Sequence, residues 1–240
     1  MEHATHAAAQ APAASSLAGL ALGDGVHRMV LVDAPTFARG YGEHHLAFQI
    51  LRADGEPETD YDEVHERLMH VIVIRRDLTE FQHVHPKLTK GIWRTEIEVP
   101  TAGSWRVFAD FSSSGSQKTL GVDLQVPGDF QPAPFAASSD VVDMGDHVLR
   151  RETDGTKLTF VPEREGEPLQ VEPYLGANGH LVVLREGDLA FLHVHPMSAP
   201  SDPRMDFMAH YPSPGRYGLF IQYSLEGSVR TASFTSTVSQ

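Results

Sequence analysis

The sequence contains no cysteine among its 240 residues. This absence excludes disulfide bonds, thiolate metal sites and cysteine nucleophiles. No apolar run reaches 18 residues, so no transmembrane segment is predicted. Basic residues are also scarce, because 19 lysines and arginines stand against 32 acidic residues and give a formal net charge of −13. Binding of nucleic acid requires a basic surface, and we therefore expect no nucleic-acid partner.

Catalytic signatures and helical patterns are missing as well. The chain has no GxSxG, Walker or HExxH motif. The glycines of GANG at 176–179 precede a predicted strand, whereas a phosphate-binding loop needs a helix after it. Short runs of β-branched and aromatic residues alternate instead with turns, to which 20 glycines and 16 prolines contribute. This pattern is typical of an all-β protein.

Internal repetition is the most informative feature of the chain. The phrase FQHVHP at 81–86 returns as FLHVHP at 191–196. The surrounding sequence also aligns, with small differences in loop length. The aligned pairs are LAFQILRADGEP (46–57) with LTFVPEREGEP (158–168), MHVIVIRRDLTEFQHVHP (69–86) with GHLVVLREGDLAFLHVHP (179–196), and VPTAGSWRVFADF (99–111) with YPSPGRYGLFIQY (211–223). Three matches in the same order predict two related domains in tandem.

Composition divides the chain into four segments. Each repeat offers about seven short strands, which indicates an immunoglobulin-like β-sandwich; a cupin-like barrel is the alternative. The N-terminal segment lacks the basic and unbroken apolar regions of a signal peptide. We predict an all-β chain of two tandem immunoglobulin-like β-sandwich domains. Its segments are a flexible Ala-rich arm (1–22), the first repeat (23–128), a linker (129–140) and the second repeat (141–240).

The histidines of each repeat fall on one predicted hairpin. A four-residue loop at 76–79 sets His70 opposite His85 and Ile72 opposite His83. Side chains two residues apart share a face of a strand, so these three imidazoles cluster at the open end of the hairpin. A different loop parity would send His70 to the other face. With a loop at 186–189, the same register predicts a cluster of three histidines in the second repeat, namely His180, His193 and His195.

Three imidazoles at these separations can converge on one metal ion. The neighbouring strand residues are apolar, so the rings would repel each other if protonated and would leave ring nitrogens unpaired if neutral. A structural histidine network without metal is the alternative. Neutral imidazoles suit Cu²⁺ or Zn²⁺, and we expect at most one ion per repeat. The candidates for a fourth ligand are a water molecule, His65, Asp110, Met208 and His210.

The two histidine segments carry a family resemblance. MHVIVIRRDLTEFQHVHP and EPYLGANGHLVVLREGDLAFLHVHP resemble uncharacterised secreted or membrane-anchored β-sandwich proteins of actinobacteria and related bacteria, in which a His…His-x-His-Pro hairpin recurs. The resemblance covers most of residues 20–238. It implies a role in copper or other heavy-metal handling and an extracytoplasmic location in the cell envelope or outside it, with the cytoplasm as the alternative because no clear signal peptide is present. The expected partner is a metal ion, and a metal-transport protein is a further candidate.

Three functions remain open at this point. The first is non-enzymatic binding of copper or zinc for buffering, delivery or sensing. The second is a bicupin-like metalloenzyme that uses a His₃ ion to activate water or dioxygen. Gly187 and the His193-Val-His195 phrase match the start of the cupin motif, but the cupin glutamate is missing after both phrases. The third is an adhesion or other structural module whose histidines hold no metal.

Overall fold

The structure is a computed structural model that describes residues 17–33, 41–135, 138–194, 196–198 and 202–239, with the backbone alone at His193. These residues form strands and turns, and none of them is helical. Accordingly, the part of the chain that is described holds no helix long and apolar enough to cross a membrane. The predicted all-β class is confirmed.

The described residues of the first repeat form eight strands. They are β1 (His27–Asp33), β2 (Gly42–Arg52), β3 (His70–Arg75), β4 (Phe81–Val84), β5 (Lys87–Thr89), β6 (Ile92–Val99), β7 (Gly103–Ser113) and β8 (Ser116–Val126). One sheet has the order β1-β2-β6-β5 and the other the order β4-β3-β7-β8. The buried aromatic residues Trp93, Trp105 and Phe48 pack between these sheets, so the repeat is a β-sandwich.

In the second repeat, the part of the chain that the structure describes forms nine strands. They are β9 (Val141–Asp143), β10 (Val148–Asp154), β11 (Lys157–Arg164), β12 (Glu167–Pro168), β13 (His180–Arg185), β14 (Phe191–His193), β15 (Met205–Met208), β16 (Gly215–Leu225) and β17 (Ser228–Val238). One sheet has the order β12-β11-β10-β9, with β15 also paired to β11, and the other has the order β14-β13-β16-β17. Phe160, Tyr217 and Phe234 lie in the core between them. The predicted tandem of sandwiches is thereby confirmed.

A third apolar cluster joins the two repeats. On β3, Val71 and Val73 enter the core of the first repeat, whereas Ile72 and Ile74 belong to the cluster shared with the second repeat. Both faces of this strand are therefore buried, which explains why it is apolar without interruption. The second repeat contributes equivalent residues to this cluster, namely Val182, Leu184, Phe191 and Phe220.

Two aromatic contacts in this cluster relate the repeats by an approximate twofold axis. Phe81 stacks on Phe220 with ring centres 4.3 Å apart, and Phe108 contacts Phe191 at 5.4 Å. Phe81 corresponds to Phe191 in the aligned repeats, and Phe108 corresponds to Phe220. Exchange of the repeats therefore converts one contact into the other. Phe220 therefore faces the partner repeat and not the core of its own sandwich.

The segment before β1 also lies between the repeats. The predicted arm falls outside the described residues up to residue 16. Beyond that point, Ala18 accepts a hydrogen bond from the backbone N–H of Phe191, and Gly19 donates one to Thr119 of β8. The guanidinium of Arg106 donates to the carbonyl oxygens of Gly19 and Leu20. Residues 18–21 thus connect an outer strand of each repeat.

Candidate metal centre

The two hairpins have the register that the sequence predicts. Ile72 pairs with His83, and Val182 pairs with His193. A backbone hydrogen bond of 3.0 Å from Arg75 to Glu80 leaves four residues in the first loop. Since the register repeats every two residues, His70, Ile72 and His83 share the face that points toward the other repeat.

His70, His83 and His85 form a compact triad, called here the histidine triad. Each offers a ring nitrogen within 4.8 Å of the other two, and Nδ1 of His70 lies 3.0 Å from Nε2 of His83. The ring centres are 5.2, 5.0 and 4.7 Å apart. Metal–nitrogen bonds of about 2.0 Å at near-tetrahedral angles put imidazole centres roughly 5 Å apart. The triad could therefore hold one metal ion.

The ring nitrogens that face away from the triad have acceptors of their own. Nε2 of His70 donates to the carbonyl oxygen of Val64 at 3.0 Å. Nδ1 of His83 lies 2.7 Å from Oε1 of Gln222, a residue of the second repeat. Metal-bound imidazoles characteristically donate their second N–H to such acceptors. Nε2 of His85 is buried without a hydrogen-bond partner, so this nitrogen is available as a ligand.

A tight turn positions the carbonyl group behind His70. Val64 and Arg67 exchange backbone hydrogen bonds, and the two residues between them have left-handed backbone angles, with φ of 50° at His65 and 59° at Glu66. The second repeat forms the same turn, and there the carbonyl of Tyr174 accepts from Nε2 of His180 at 2.8 Å. Sequence reasoning missed both carbonyls. Their signal is the equal spacing of six residues from turn to histidine.

Of the three candidate histidines in the second repeat, the structure describes His180 in full and His193 by its backbone alone. His180 is buried, and its ring centre lies 6.4 Å from those of His70 and His83. His193 has the predicted strand position, and His195 lies outside the described residues. Whether these two contribute ligands therefore stays a prediction. The ring of His65 lies 4.9 Å from that of His180, which places this fourth-ligand candidate beside the cluster.

A cavity of about 40 Å³ lies between the repeats and is bordered by His65, His70, His83 and His180. A buried water molecule needs roughly 10–15 Å³ of such space, so the cavity has room for an ion with one or two water molecules. Met208 and His210 do not line it, and His210 is exposed. The lining residues are Val64, His65, His70, Ile72, His83 and Asp110 from the first repeat and His180, Leu181, Val182, Phe191 and Val194 from the second.

Burial lowers the pKa values of three imidazoles of the cluster. Desolvation lowers the pKa of His83 well below its usual range, and the neighbouring His85 and His70 add to the effect. Desolvation, with His70 nearby, lowers the pKa of His85 to about 3. Desolvation also lowers the pKa of His180 to about 4, although its bond to Tyr174 opposes the shift. Neutral imidazole is the form that binds metal.

The chain matches a known family of protein domains. A family described as "Domain of unknown function (DUF8832)" matches the chain at residues 27–128 and 142–240. The chain belongs to this family. The two matched stretches coincide with the two sandwiches, so the family's domain is the unit that is repeated. No curated protein matches the chain.

Solved structures resemble the chain only loosely. Salmonella alpha-2-macroglobulin reacted with methylamine is 15% identical with a TM-score of 0.32, and the match covers 92% of this chain and 15% of that one. Escherichia coli alpha-2-macroglobulin activated by porcine elastase is 14% identical with a TM-score of 0.31, over 87% and 20%. Tandem immunoglobulin domains of titin are 12% identical with a TM-score of 0.20, over 82% and 89%. This chain thus spans a small part of the macroglobulins.

Proposed function

We propose that the protein binds a divalent transition-metal ion, copper or zinc, at the histidine triad, without catalytic turnover, for buffering, delivery or sensing. One observation carries the proposal. Nδ1 of His70 and Nε2 of His83 lie 3.0 Å apart, while the other nitrogen of each ring faces an oxygen acceptor. In neutral rings with this hydrogen bonding, two lone pairs meet. A shared cation resolves that repulsion.

The donor set supports copper or zinc. All three ligands are imidazoles, which suit Zn²⁺ and Cu²⁺ better than the hard cations Mg²⁺ and Ca²⁺. Three protein ligands leave a fourth position for water or for a further side chain. The same spacing in the second repeat supports a contribution from His180, His193 and His195. Two bound ions per chain would indicate a separate centre in each repeat, and one ion would indicate a shared centre.

The size of the cavity between the repeats favours binding over catalysis on that side of the triad. A metalloenzyme needs space beside the ion for its substrate, and the room of about 40 Å³ between the repeats admits only water-sized ligands. His85 lines a second and larger pocket of about 660 Å³ at the surface of the first repeat. The carboxylate of Asp110, a candidate general base that lines the cavity, already accepts hydrogen bonds from Gln117 and Thr119. The small cavity between the repeats and the hydrogen-bonded carboxylate of Asp110 support a storage or transfer role for the ion.

Metal analysis tests the proposal directly. Untagged protein is assayed for its elements, stripped with a chelator, and titrated with Cu²⁺ and with Zn²⁺. We expect at least one tightly bound ion per wild-type chain and loss of that ion in His83→Ala. His210→Ala is the matched control, because His210 is exposed and away from the cavity. A folded wild-type protein that binds neither metal would overturn the proposal and leave the histidines as a structural network.

The location and the partner are part of the same proposal. The resemblance to secreted and envelope proteins supports an extracytoplasmic protein that exchanges its ion with a metal-transport protein. Fractionation of the source cells with an antibody against this chain tests the location. Recovery of the protein in the cytoplasm alone would contradict it and would leave the metal site itself unaffected.

A further inference from the structure

We propose that the metal centre belongs to both repeats: the second repeat supplies Gln222, which orients His83, and His180, which approaches the ion as a further imidazole ligand. Binding of an ion would then lock the repeats together. This inference rests on the proposed function, because it requires that the triad binds metal. It goes beyond that function in assigning the centre a structural role between domains.

Gln222 is the first link across the interface. It lies on β16, and its Oε1 is 2.7 Å from Nδ1 of His83 on β4. Its Nε2 donates to Oγ1 of Thr231 on the neighbouring strand at 3.0 Å. Thr231 of the second repeat therefore orients the amide of Gln222, while the same amide contacts His83 of the first repeat. Gln222 is 8% exposed, so water does not readily replace it.

His180 is the second link. The turn carbonyl of Tyr174 accepts from its Nε2, so Nδ1 carries the lone pair when the ring is neutral. Its ring centre is 6.4 Å from those of both His70 and His83. Ligation to the same ion requires roughly 5 Å. The ring must therefore move by somewhat more than about 1 Å, which a small closure of the cavity or a rotation of the side chain supplies.

The surroundings favour closure. Ile72 and Val182 line the cavity beside the histidines, and the stacked rings of Phe81 and Phe220 lie in the same apolar cluster. A packed apolar contact resists the separation of its two sides but tolerates small sliding movements. An ion with ligands from both sides adds a cross-link to this contact, and anything that binds only the docked form stabilises it by mass action.

The test compares three variants of the full chain. His180→Gln keeps a donor for the Tyr174 carbonyl but removes the ring nitrogen. Gln222→Met keeps the approximate shape of the side chain but removes the acceptor, and Gln222→Glu restores an acceptor oxygen. Affinity for Cu²⁺ is measured by chelator competition, and the number of bound nitrogens is read from the electron paramagnetic resonance spectrum. His210→Ala again serves as the control.

The expected results are specific for a shared centre. His180→Gln should weaken Cu²⁺ binding at least 10-fold and remove one nitrogen from the spectrum. Gln222→Met should weaken binding by about 10- to 100-fold, as for other groups that orient a metal-bound histidine, and Gln222→Glu should restore it. Added Zn²⁺ should slow hydrogen exchange at the backbone amides of β16 in the wild type, although no triad residue lies on that strand.

Failure of this inference is distinguishable from failure of the proposed function. If His83→Ala abolishes binding while His180→Gln and Gln222→Met bind Cu²⁺ like the wild type, the ion is held by the first repeat alone and the inference is wrong. The inference is also wrong if Zn²⁺ slows hydrogen exchange only at backbone amides of the first repeat. If the wild type binds no metal, both proposals are wrong together.

Discussion

At the scale of single residues, the site depends on which nitrogen of His83 carries the hydrogen. With Oε1 of Gln222 toward Nδ1 of His83, the hydrogen lies on Nδ1, and Nε2 is a lone pair directed at His70. If the amide of Gln222 turns by half a rotation, its NH₂ group donates to Nδ1, and Nε2 of His83 can donate to His70. The hydroxyl of Thr231 can donate to the turned amide oxygen. The first arrangement suits a bound ion and the second suits a metal-free protein.

We therefore predict a tautomer switch of His83 on metal binding. In metal-free protein the hydrogen should lie on Nε2, and saturation with Zn²⁺ should transfer it to Nδ1. The ¹⁵N chemical shifts of the histidine rings distinguish these forms. The exposed His210 should show no change and serves as the internal control. The same His83 tautomer with and without Zn²⁺ would refute the switch.

The lowered pKa values predict acid sensitivity of the metal-free protein. An unfolded histidine titrates near pH 6.5, whereas the pKa values of His85 and His180 in the fold are about 3 and about 4. As the pH falls below about 6.5, these histidines bind protons in the unfolded state but not in the folded state. The free energy of unfolding therefore decreases progressively toward pH 4. Each such histidine should cost about 1 kcal/mol on going from pH 7.5 to 5.5.

Urea unfolding at those two pH values measures this loss. His180→Gln should lose about 1 kcal/mol less than the wild type over the interval, since the variant lacks one of the buried imidazoles. His210→Ala should lose as much as the wild type. A stability that is equal at pH 7.5 and 5.5 in metal-free wild type would contradict the assignment of neutral buried imidazoles.

At the scale of elements, the hairpins could be predicted from the sequence, but their environment could not. The repeated spacing favoured a four-residue loop but left other lengths open, and loop length decides which residues of β3 share a face. Ile72 and Ile74 are as apolar as Val71 and Val73, however, so the pattern does not tell which pair faces the other repeat. The acceptor Gln222 belongs to a strand 139 residues beyond His83, and only the docking of the repeats brings them together.

Residues 18–21 are a second element whose role the sequence conceals, because their Ala- and Gly-rich composition suggests an arm. They run beside β8 at Gly121, whose N–H donates to the carbonyl of Ala21. A Cβ on Gly121 would overlap the carbonyl oxygen of Gly19 and come within 2.8 Å of the Arg106 guanidinium. Because Gly121 has no side chain, residues 18–21 can lie directly against β8.

Gly121→Ala should therefore displace this segment. We expect a loss of about 1–3 kcal/mol in the free energy of unfolding, as for other overpacked sites. Cleavage by a protease near residue 20 should also become faster, because the segment then loses its hydrogen bonds to both repeats. Ser116→Ala, at an exposed position on the same strand, is the control and should change stability by less than about 0.5 kcal/mol. Unchanged stability and cleavage in Gly121→Ala would show that the segment does not depend on this contact.

At the scale of the whole molecule, residues from the described ranges of both repeats form three apolar cores. Two cores lie inside the sandwiches, and the third lies between them next to the histidines. Duplication of a domain supplies two similar faces, which can pack against each other around an approximate twofold axis. The histidine cluster lies where this packing buries polar groups, so the same contact that joins the repeats also desolvates the ligands.

Phe220 and Phe234 allow the effect of this contact on metal binding to be measured. Both rings are buried in the second repeat, at 2% and 1% exposure, but Phe220 packs against the first repeat and Phe234 packs within its own sandwich. Replacement of either by leucine should cost about 1–3 kcal/mol of stability. If docking of the repeats is coupled to the metal centre, only Phe220→Leu should also weaken Zn²⁺ binding, because part of the binding free energy must then restore the docked form. Zn²⁺ titrations of both variants at a temperature where each is folded make the comparison. Equal affinities would mean that the ion and the interface are energetically independent.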